Sequence, residues 1–222
     1  MKGETLFYYF IVGLCGIFFR IWFNLKIEGR ENIPKGKNFV YASNHRSYAD
    51  PVLIAMAGKG RFGFMAKAEL FEKPAFAWLI RNLGAFPVER GKGDSEAIDR
   101  AITTVKEEHK NLLIFPEGTR SKDGRVGKGK TGVALVASKA GADVIPVGIS
   151  FEGEKLHFRS KIIVRIGKPI PAGTLAIDPN LSDRDLLRKL RKDVMPPIMD
   201  SIHELVDEPP ELPLNQNETE ET

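Results

Sequence analysis

The sequence predicts one α/β domain, with a parallel or mixed sheet covered by helices, behind an N-terminal hydrophobic membrane helix. Three observations lead to this fold class. After residue 30, short apolar runs typical of strands alternate with stretches of helical periodicity, which is the pattern of an α/β sheet. The first 23 residues hold a long apolar run. Finally, 222 residues, of which 42% are hydrophobic and 28% charged, are enough for one substantial core.

The N-terminal run reads LFYYFIVGLCGIFFRIWFNLK and has no charge from Leu6 to Phe19. Aromatic residues near both ends and basic residues after it resemble the anchors of a membrane interface. We expect residues 1–26 to form an anchoring helix that inserts into one leaflet, or spans the bilayer while Arg20 snorkels. The basic flank predicts a cytoplasmic-face location at the cell membrane. The alternative is a helix of the core; a cleaved signal peptide is disfavoured because no small-x-small site follows.

Residues 27–207 are predicted to form the main folded domain. Its clearest helix begins near Asp94 and is apolar at positions 98, 101, 102 and 105. Further helices are expected over 129–139 and after Ser182. The proline pair at 196 and 197 is expected to break the last one, and a final turn or two runs on to Val206. Six runs are typical of strands: NFVYAS, RFGFMAK, GAFPVE, NLLIF, DVIPVGIS and KIIVRIG.

Charge and cysteine content restrict the function classes. Five of the 29 acidic residues lie in 208–222, which has no lysine or arginine, so this tail is predicted to be disordered and the body basic. A basic body suits phosphate, nucleic acid or anionic lipid, or else it serves solubility.

The single cysteine, Cys15, excludes a disulfide framework and a cysteine zinc cluster. No two of the four histidines have a metal-ligand spacing, so we expect no metal.

The stretch NHRSYADP, residues 44–51, follows the strand-like NFVYAS. Five helical residues turn through roughly 140°, so His45 and Asp50 could not share one helical face. Pro51 favours a helix that starts here with Asp50 as its cap, and this places His45 in the loop before it. The carboxylate could then fold back and orient His45 as a general base. The alternative is a capping aspartate beside a loop histidine without function.

Three more strand ends carry polar groups. FPEGTR follows NLLIF, GAFPVER ends in an arginine, and AKAEL places a lysine at the end of a strand. Loops at the carboxyl ends of strands form the ligand sites of open α/β sheets. If the sheet brings these ends together, one base would face three cations, which suits a phosphate ester with a free hydroxyl. The four residues are His45, Lys67, Arg90 and Arg120.

The segment GRVGKGKT, Gly124 to Thr131, matches the phosphate-binding pattern G-x-x-x-x-G-K-[ST] of nucleotide triphosphatases. A true loop of this kind directly follows a strand, whereas the preceding strand is expected to end at Phe115. A nucleotide triphosphatase that depends on Lys130 therefore stays a minor alternative.

Residues 27–170 resemble the glycerophospholipid acyltransferases, above all the 1-acyl-sn-glycerol-3-phosphate acyltransferase family. The resemblance rests on four sequence blocks that occur in the same order, namely NHRSYAD, GAFPVER, FPEGTR and VIPVGI. The resemblance implies that His45 is the general base and that Asp50 assists it. It also implies two binding groups, namely acceptor contacts at Lys67, Gly84, Arg90, Glu117, Gly118 and Arg120, and acyl-donor contacts near Pro146.

The resemblance implies an O-acyltransferase of phospholipid synthesis that acylates 1-acyl-glycerol 3-phosphate to phosphatidic acid, without a metal or cofactor. Acyl-CoA or acyl-carrier protein would be the donor, backbone amides near Gly118 would stabilise the oxyanion, and the bilayer, rather than nucleic acid, would be the macroscopic partner. Glycerol 3-phosphate or another lysolipid is the alternative acceptor. A rival of another class is a peripheral protein that binds anionic lipid without turnover.

Overall fold

A seven-stranded sheet organises the chain. The structure is a computed structural model that describes residues 2–88 and 95–208. The strands lie in the order β1-β7-β6-β2-β5-β3-β4 across the sheet. Their bounds are β1 (Asn24–Glu28), β2 (Val40–Ser43), β3 (Phe62–Lys67), β4 (Ala85–Val88), β5 (Asn111–Ile114), β6 (Val144–Phe151) and β7 (Lys161–Ile166).

The sheet is mixed, because β6 and β7 pair in antiparallel fashion while every other neighbouring pair is parallel. The predicted fold class is thereby confirmed, and the mixed alternative is the one found. Strands β6, β2, β5, β3 and β4 all run in the same direction. Their carboxyl ends therefore meet at one edge of the sheet, which is where the sequence motifs were expected to converge.

Helices cover both faces of the sheet. Alternate residues of β2 face opposite sides: Val40 packs in the cluster with α4, α5 and α7, and Tyr41 packs in the cluster with α1 and α2. The α-helices are α1 (Lys2–Trp22), α2 (Asp50–Ala57), α3 (Pro74–Asn82), α4 (Ser95–Lys106), α5 (Gly132–Ala140), α6 (Asp183–Lys189) and α7 (Met195–Leu205).

Most helix signals are confirmed, and one is wrong. Gly141 ends α5 in a left-handed conformation, and Ser182 caps α6 by accepting a hydrogen bond from the Asp185 N–H. The two prolines at 196 and 197 do not end the helix after Ser182. They lie in the first turn of α7, where a missing N–H costs nothing, and a π-helical turn, Leu190–Val194, joins α6 to α7. Asp94 and the predicted tail from residue 209 lie outside the described residues.

The N-terminal helix α1 has two different faces. Tyr8 and Phe19 are buried, and Val12 and Cys15 pack between them against the cluster formed with α2, at spacings of four, three and four. The opposite face is apolar and exposed, at Leu6, Phe10, Leu14, Ile17 and Ile21. The segment Gly3–Trp22 is long and apolar enough to cross a membrane, yet 17% of it is buried against the domain. The predicted boundary after residue 26 falls inside β1, and α1 contributes to the core.

Candidate active site

The loop of residues 44–49 joins the carboxyl end of β2 to α2. Its first residue, Asn44, is buried and pairs with both backbone groups of Ile149 in β6. Nδ2 donates to the Ile149 carbonyl over 2.9 Å, and the Ile149 N–H donates to Oδ1 over 2.8 Å. The side-chain amide thus continues the pairing of β2 with β6 beyond the last strand residue. This fixes the point from which the loop leaves the sheet.

His45 and Asp50 are in direct contact, since Nδ1 of the imidazole lies 2.7 Å from Oδ2 of the carboxylate. Asp50 is fully buried, and His45 is partly exposed. The same Oδ2 accepts hydrogen bonds from the N–H groups of Arg46 (2.6 Å) and Ser47 (2.8 Å), while Oδ1 accepts from the Ser47 hydroxyl (2.8 Å). An acceptor carboxylate of this kind favours the tautomer with the proton on Nδ1, and Nε2 is then free to act as a base.

The predicted cap at Asp50 needs a correction. Asp50 is the first residue of α2, and its carboxylate accepts from the loop before the helix, not from amides inside it. The reason is geometric, because the loop curls back so that four donors from residues 45–47 reach the carboxylate first. Asp50 therefore organises the loop that carries His45.

The FPEGTR loop after β5 holds His45 from the other side. The Phe115 ring stacks on the imidazole with ring centroids 3.9 Å apart and an angle of 12° between the planes. The His45 N–H donates to Oε1 of Glu117 over 3.0 Å, and the His45 carbonyl accepts from the Ser121 N–H over 2.7 Å. The first and third sequence blocks thus meet at His45, as expected of neighbouring parallel strands.

Glu117 is a buried carboxyl group, only 8% exposed. Burial raises its pKa, and the hydrogen bonds from the N–H groups of His45 and Gly127 oppose this rise. Its contacts are with the protein backbone, so the structure gives it a positioning contact with His45. The acceptor-binding role that the resemblance implies for Glu117 stays a prediction.

Arg46 lies behind the histidine and is 7% exposed. Its guanidinium donates to the carbonyls of Phe151 (3.1 Å) and Gly153 (2.7 Å) and lies over the Phe151 ring. Burial lowers the pKa of Arg46, and the nearby Asp50 counteracts this. The role of Arg46 was not predicted, because no sequence signal distinguishes a buried arginine that bonds to backbone carbonyls from an exposed one.

Exposed cations form a rim at the edge of the sheet that carries the histidine. Lys67 lies at the carboxyl end of β3, two strands from β2 in the sheet. Arg120 follows β5, and its guanidinium stacks over the ring of Tyr48 at 3.7 Å from the centroid. Tyr48 is 76% exposed, a position that nothing in the sequence indicated. Arg90, the third predicted cation, lies outside the described residues.

Two of the predicted acceptor residues are glycines in turns, and their acceptor contacts stay a prediction. Gly84 precedes β4 and therefore lies at the amino end of that strand, at the opposite edge of the sheet from His45. Its φ of 95° and its approach to the Phe62 carbonyl make it a turn residue, so the structure does not bring it to the acceptor site. The Gly118 N–H donates to the Phe115 carbonyl over 3.0 Å and is thus not free to bind an oxyanion.

Pro146, the residue expected near the acyl donor, is buried in the middle of β6, where it is in register with Ala42 of β2. The Gly167 N–H donates to its carbonyl over 2.9 Å. These contacts are those of a core residue in the sheet, and the donor assignment stays a prediction.

Comparison with known proteins gives a consistent result. A family model described as acyltransferase matches residues 24–150. The 1-acyl-sn-glycerol-3-phosphate acyltransferase of Streptococcus pneumoniae is 32% identical over 77% of this chain and 65% of its own length. The chloroplastic 1-acyl-sn-glycerol-3-phosphate acyltransferase of Arabidopsis thaliana is 33% identical over 72% of this chain and 46% of its own. The chain thus spans less than two thirds of either relative.

A solved structure matches as well. The crystal structure of the 1-acyl-sn-glycerophosphate acyltransferase from Thermotoga maritima superposes with a TM-score of 0.57 and 27% identity. The superposition covers 90% of this chain and 78% of that one. The likeness therefore includes nearly the whole fold described above.

Proposed function

Because the chain belongs to the acyltransferase family, we propose that it transfers an acyl chain from an acyl thioester to the free hydroxyl of 1-acyl-glycerol 3-phosphate, which yields phosphatidic acid. The observation that carries the proposal is the 2.7 Å contact between His45 Nδ1 and the buried carboxylate of Asp50. This contact orients an imidazole whose other nitrogen has no hydrogen-bond partner among residues 2–88 and 95–208.

In the proposed reaction, Nε2 of His45 takes the proton of the acceptor hydroxyl while that oxygen attacks the thioester carbonyl carbon. The buried Asp50 carboxylate stabilises the imidazolium that forms. When the tetrahedral intermediate collapses, the carbon–sulfur bond breaks, and His45 returns the proton to the leaving thiolate. The products are the new ester and the free thiol, so atoms and charge balance.

Direct transfer without an acyl-enzyme is supported by the surroundings of His45. The neighbouring hydroxyl, that of Ser47, donates to Asp50 Oδ1 and does not pair with the imidazole. The sole cysteine, Cys15, packs on α1 against the core. The nucleophile is therefore best supplied by the substrate, as general-base catalysis on a bound hydroxyl requires.

A phosphate-bearing acceptor is supported by the cations at the same edge of the sheet. Lys67 and Arg120 are exposed at the ends of β3 and β5. Guanidinium and ammonium groups bind phosphate by charge-assisted hydrogen bonds. The donor is proposed only as an acyl thioester, because a basic surface suits acyl-CoA and acyl-carrier protein equally.

The test is an assay with a defined panel. Purified protein is incubated with a labelled acyl donor, either acyl-CoA or acyl-carrier protein that holds the acyl chain as a thioester. The acceptor is 1-acyl-glycerol 3-phosphate, glycerol 3-phosphate or a lysolipid without a phosphomonoester. We expect phosphatidic acid from the first acceptor with at least one donor. If another acceptor is acylated preferentially, the proposed acceptor is wrong and that molecule is the substrate. Lipid binding without turnover in any combination would support the rival, a non-catalytic membrane protein.

We also propose that the domain lies on the bilayer through an apolar surface, here called the α1 face, formed by the exposed residues of α1 together with Trp78 and Phe158. Trp78 contacts Phe7 edge-on with centroids 5.4 Å apart, and Phe158 contacts Trp22 at 5.1 Å, so the aromatic rings extend the exposed side of α1 at both ends. Exposed apolar surfaces of this extent mark interaction sites, and aromatic rings prefer the membrane interface. Since the other side of α1 packs on α2, a helix lying in one leaflet fits better than a span.

Sedimentation with vesicles tests the α1 face. The wild-type chain should stay with vesicles at high salt, because salt screens charge attraction but not apolar burial. The double substitution Phe10→Glu and Ile17→Glu should release the folded protein. Leu187→Glu on α6 is the control, since it places a charge on another exposed apolar residue and should leave attachment unchanged. Equal release by both variants would contradict the proposal.

A further inference from the structure

The segment of residues 124–131, called here the glycine segment, matched a nucleotide-binding pattern but has a different geometry. A phosphate-binding loop of that kind leaves a strand directly. Here β5 ends at Ile114, and the whole FPEGTR loop separates it from the glycine segment. The glycines and lysines of this segment consequently need another explanation.

The glycines allow the segment to lie directly on the site. A Cβ on Gly124 would come within 3.1 Å of the Arg46 guanidinium, and Gly124 has a φ of 87°. A Cβ on Gly127 would come within 3.2 Å of Glu117 Oε2. Real Cβ atoms seldom approach other atoms so closely, because non-bonded heavy atoms repel each other below their van der Waals separation of roughly 3.5 Å. The segment is thus seated on two residues that hold the loop of His45.

Lys130 crosses the FPEGTR loop at Gly118. Its Nζ lies 2.9 Å and its Cε 3.2 Å from the position that a Cβ on Gly118 would take. The Lys130 N–H donates to the Pro116 carbonyl over 2.8 Å, which fixes the backbone beside the loop. Gly118 itself has a φ of 71°, in the left-handed region that favours glycine. A glycine at 118 therefore leaves the space through which the lysine stem passes.

The ammonium group of Lys130 ends on the rim of the site. The side chain is exposed, and it has no ion-pair partner in the described part of the chain. It lies against Gly118, and Arg120 follows two residues later on the same loop. The chain between β5 and α5 thus supplies two cations, Arg120 on the loop that packs on His45 and Lys130 across it at Gly118.

We propose that Lys130 is a further acceptor-binding residue, which contacts the phosphate of the acceptor together with Arg120; this inference rests on the function proposed above. The two groups have complementary chemistry. The guanidinium is a planar fork, and the ammonium is a compact point charge with three donors that suits a further phosphate oxygen. The inference also explains the lysine that resembled a nucleotide-binding residue: it serves a phosphate, but that of a lipid.

Acyl-transfer kinetics in mixed micelles with a neutral detergent test the inference. Lys130→Met removes the charge but keeps the length and apolar stem that cross Gly118, so the fold should be retained. We expect the KM for 1-acyl-glycerol 3-phosphate to rise about 10-fold or more, the usual loss for a hydrogen bond to a charged group, with little change in kcat. Lys130→Arg should restore most of the affinity, because the positive charge remains.

The matched control is Lys128→Met, which makes the same change of net charge two residues away in the same segment. It should leave the KM near the wild-type value. An equal rise in KM for Lys128→Met and Lys130→Met would overturn the inference, because the effect would then be general attraction to an anionic substrate. A fall in kcat at unchanged KM would overturn it as well, since Lys130 would then act on the chemical step.

The outcomes also separate this inference from the proposed function. If the wild-type chain transfers acyl groups but Lys130→Met keeps its KM, only the inference fails. If the wild-type chain transfers no acyl group to any acceptor, the proposed function fails, and the inference fails with it.

Discussion

The candidate site has an inner part and a rim that differ in how their polar groups are satisfied. In the inner part, Asp50, Arg46 and Glu117 are buried and each is hydrogen-bonded to named backbone groups. On the rim, Lys67 and Arg120 are exposed and have no ion pair within residues 2–88 and 95–208. The inner part is complete without substrate, whereas the rim charges have no ion-pair partner among the described residues and are available to a ligand.

The difference follows from the task proposed for each part. A general base has to be oriented before the reaction, and buried hydrogen bonds hold it because water cannot compete for them. A phosphate-binding group has to accept its ligand from water, so it gains its main partner only on binding. Substitutions in the inner part should accordingly lower kcat, and substitutions on the rim should raise the acceptor KM.

The largest effect is expected for His45→Ala. Loss of the general base should lower kcat by roughly 10²–10⁴-fold at an almost unchanged acceptor KM. Asp50→Asn should give a smaller loss, because the imidazole keeps a neighbour but loses the carboxylate that stabilises its charged form. Steady-state kinetics on protein with an unchanged circular dichroism spectrum are the measurement.

His109→Asn is the control for this comparison, since that exposed histidine lies just before β5, at the opposite edge of the sheet from His45, and asparagine tolerates its positive φ. It should behave like the wild type. Near-normal acyl transfer by folded His45→Ala would contradict the division into an inner part and a rim, together with the mechanism.

Arg120→Ala comes next. It should raise the KM for a phosphate-bearing acceptor by about 10-fold or more, as expected when a charged hydrogen bond is lost, and should change kcat little. Arg120→Lys should recover part of the affinity, since the charge remains but the planar fork is lost. An equal loss toward an acceptor without phosphate would show that Arg120 does not belong to a phosphate-binding rim. The same pair of variants at Arg90 tests the rim beyond the described residues.

Which parts the sequence could predict depends on whether the cause is local. The turn from β2 into α2, the strand run NLLIF and the Ser182 cap are each determined by neighbouring residues, and all three are found. The contact of His45 with Asp50 is also local, because both lie in one short loop. The proline pair after α6 was misread, since the same residues end one helix or begin another, and packing decides between the two.

Contacts between distant segments were outside the reach of sequence patterns. Glu117 pairs with the backbone of His45, 72 residues away, and Arg46 reaches carbonyls at the end of β6 and just beyond it. Lys130 meets Gly118 because the chain between β5 and α5 folds back, so that the Lys130 N–H donates to the Pro116 carbonyl. Such pairings depend on strand order, and β1 at the far edge of the sheet was not predicted at all. The sequence motifs indicated which strand ends to compare, whereas the contacts between their residues required the fold.

A smaller effect is expected at Tyr48, the aromatic support of the rim. Tyr48→Ala removes the ring beneath the Arg120 guanidinium and should raise the acceptor KM by roughly 2- to 5-fold, because an exposed cation–π contact contributes about 0.5–1 kcal/mol. Tyr48→Phe keeps the ring and should match the wild type. In the double variant with Arg120→Ala, the loss of Tyr48 should add nothing, as expected of a residue that acts through another. Additive losses would contradict the support role.

The smallest effect concerns Glu117 and appears in stability as a function of pH. Burial raises the pKa of Glu117 above its ordinary value of 4.5, so the folded protein binds this proton more tightly than the unfolded chain. The contribution of this group to stability is therefore present at low pH and is lost as pH rises through the raised pKa. Glu117→Gln keeps an oxygen for the His45 N–H but cannot titrate. Chemical denaturation at several pH values should show the wild type gaining stability relative to Glu117→Gln as the pH falls through the raised pKa toward 4.5. A difference that is constant with pH would mean that Glu117 is not a buried member of the inner part.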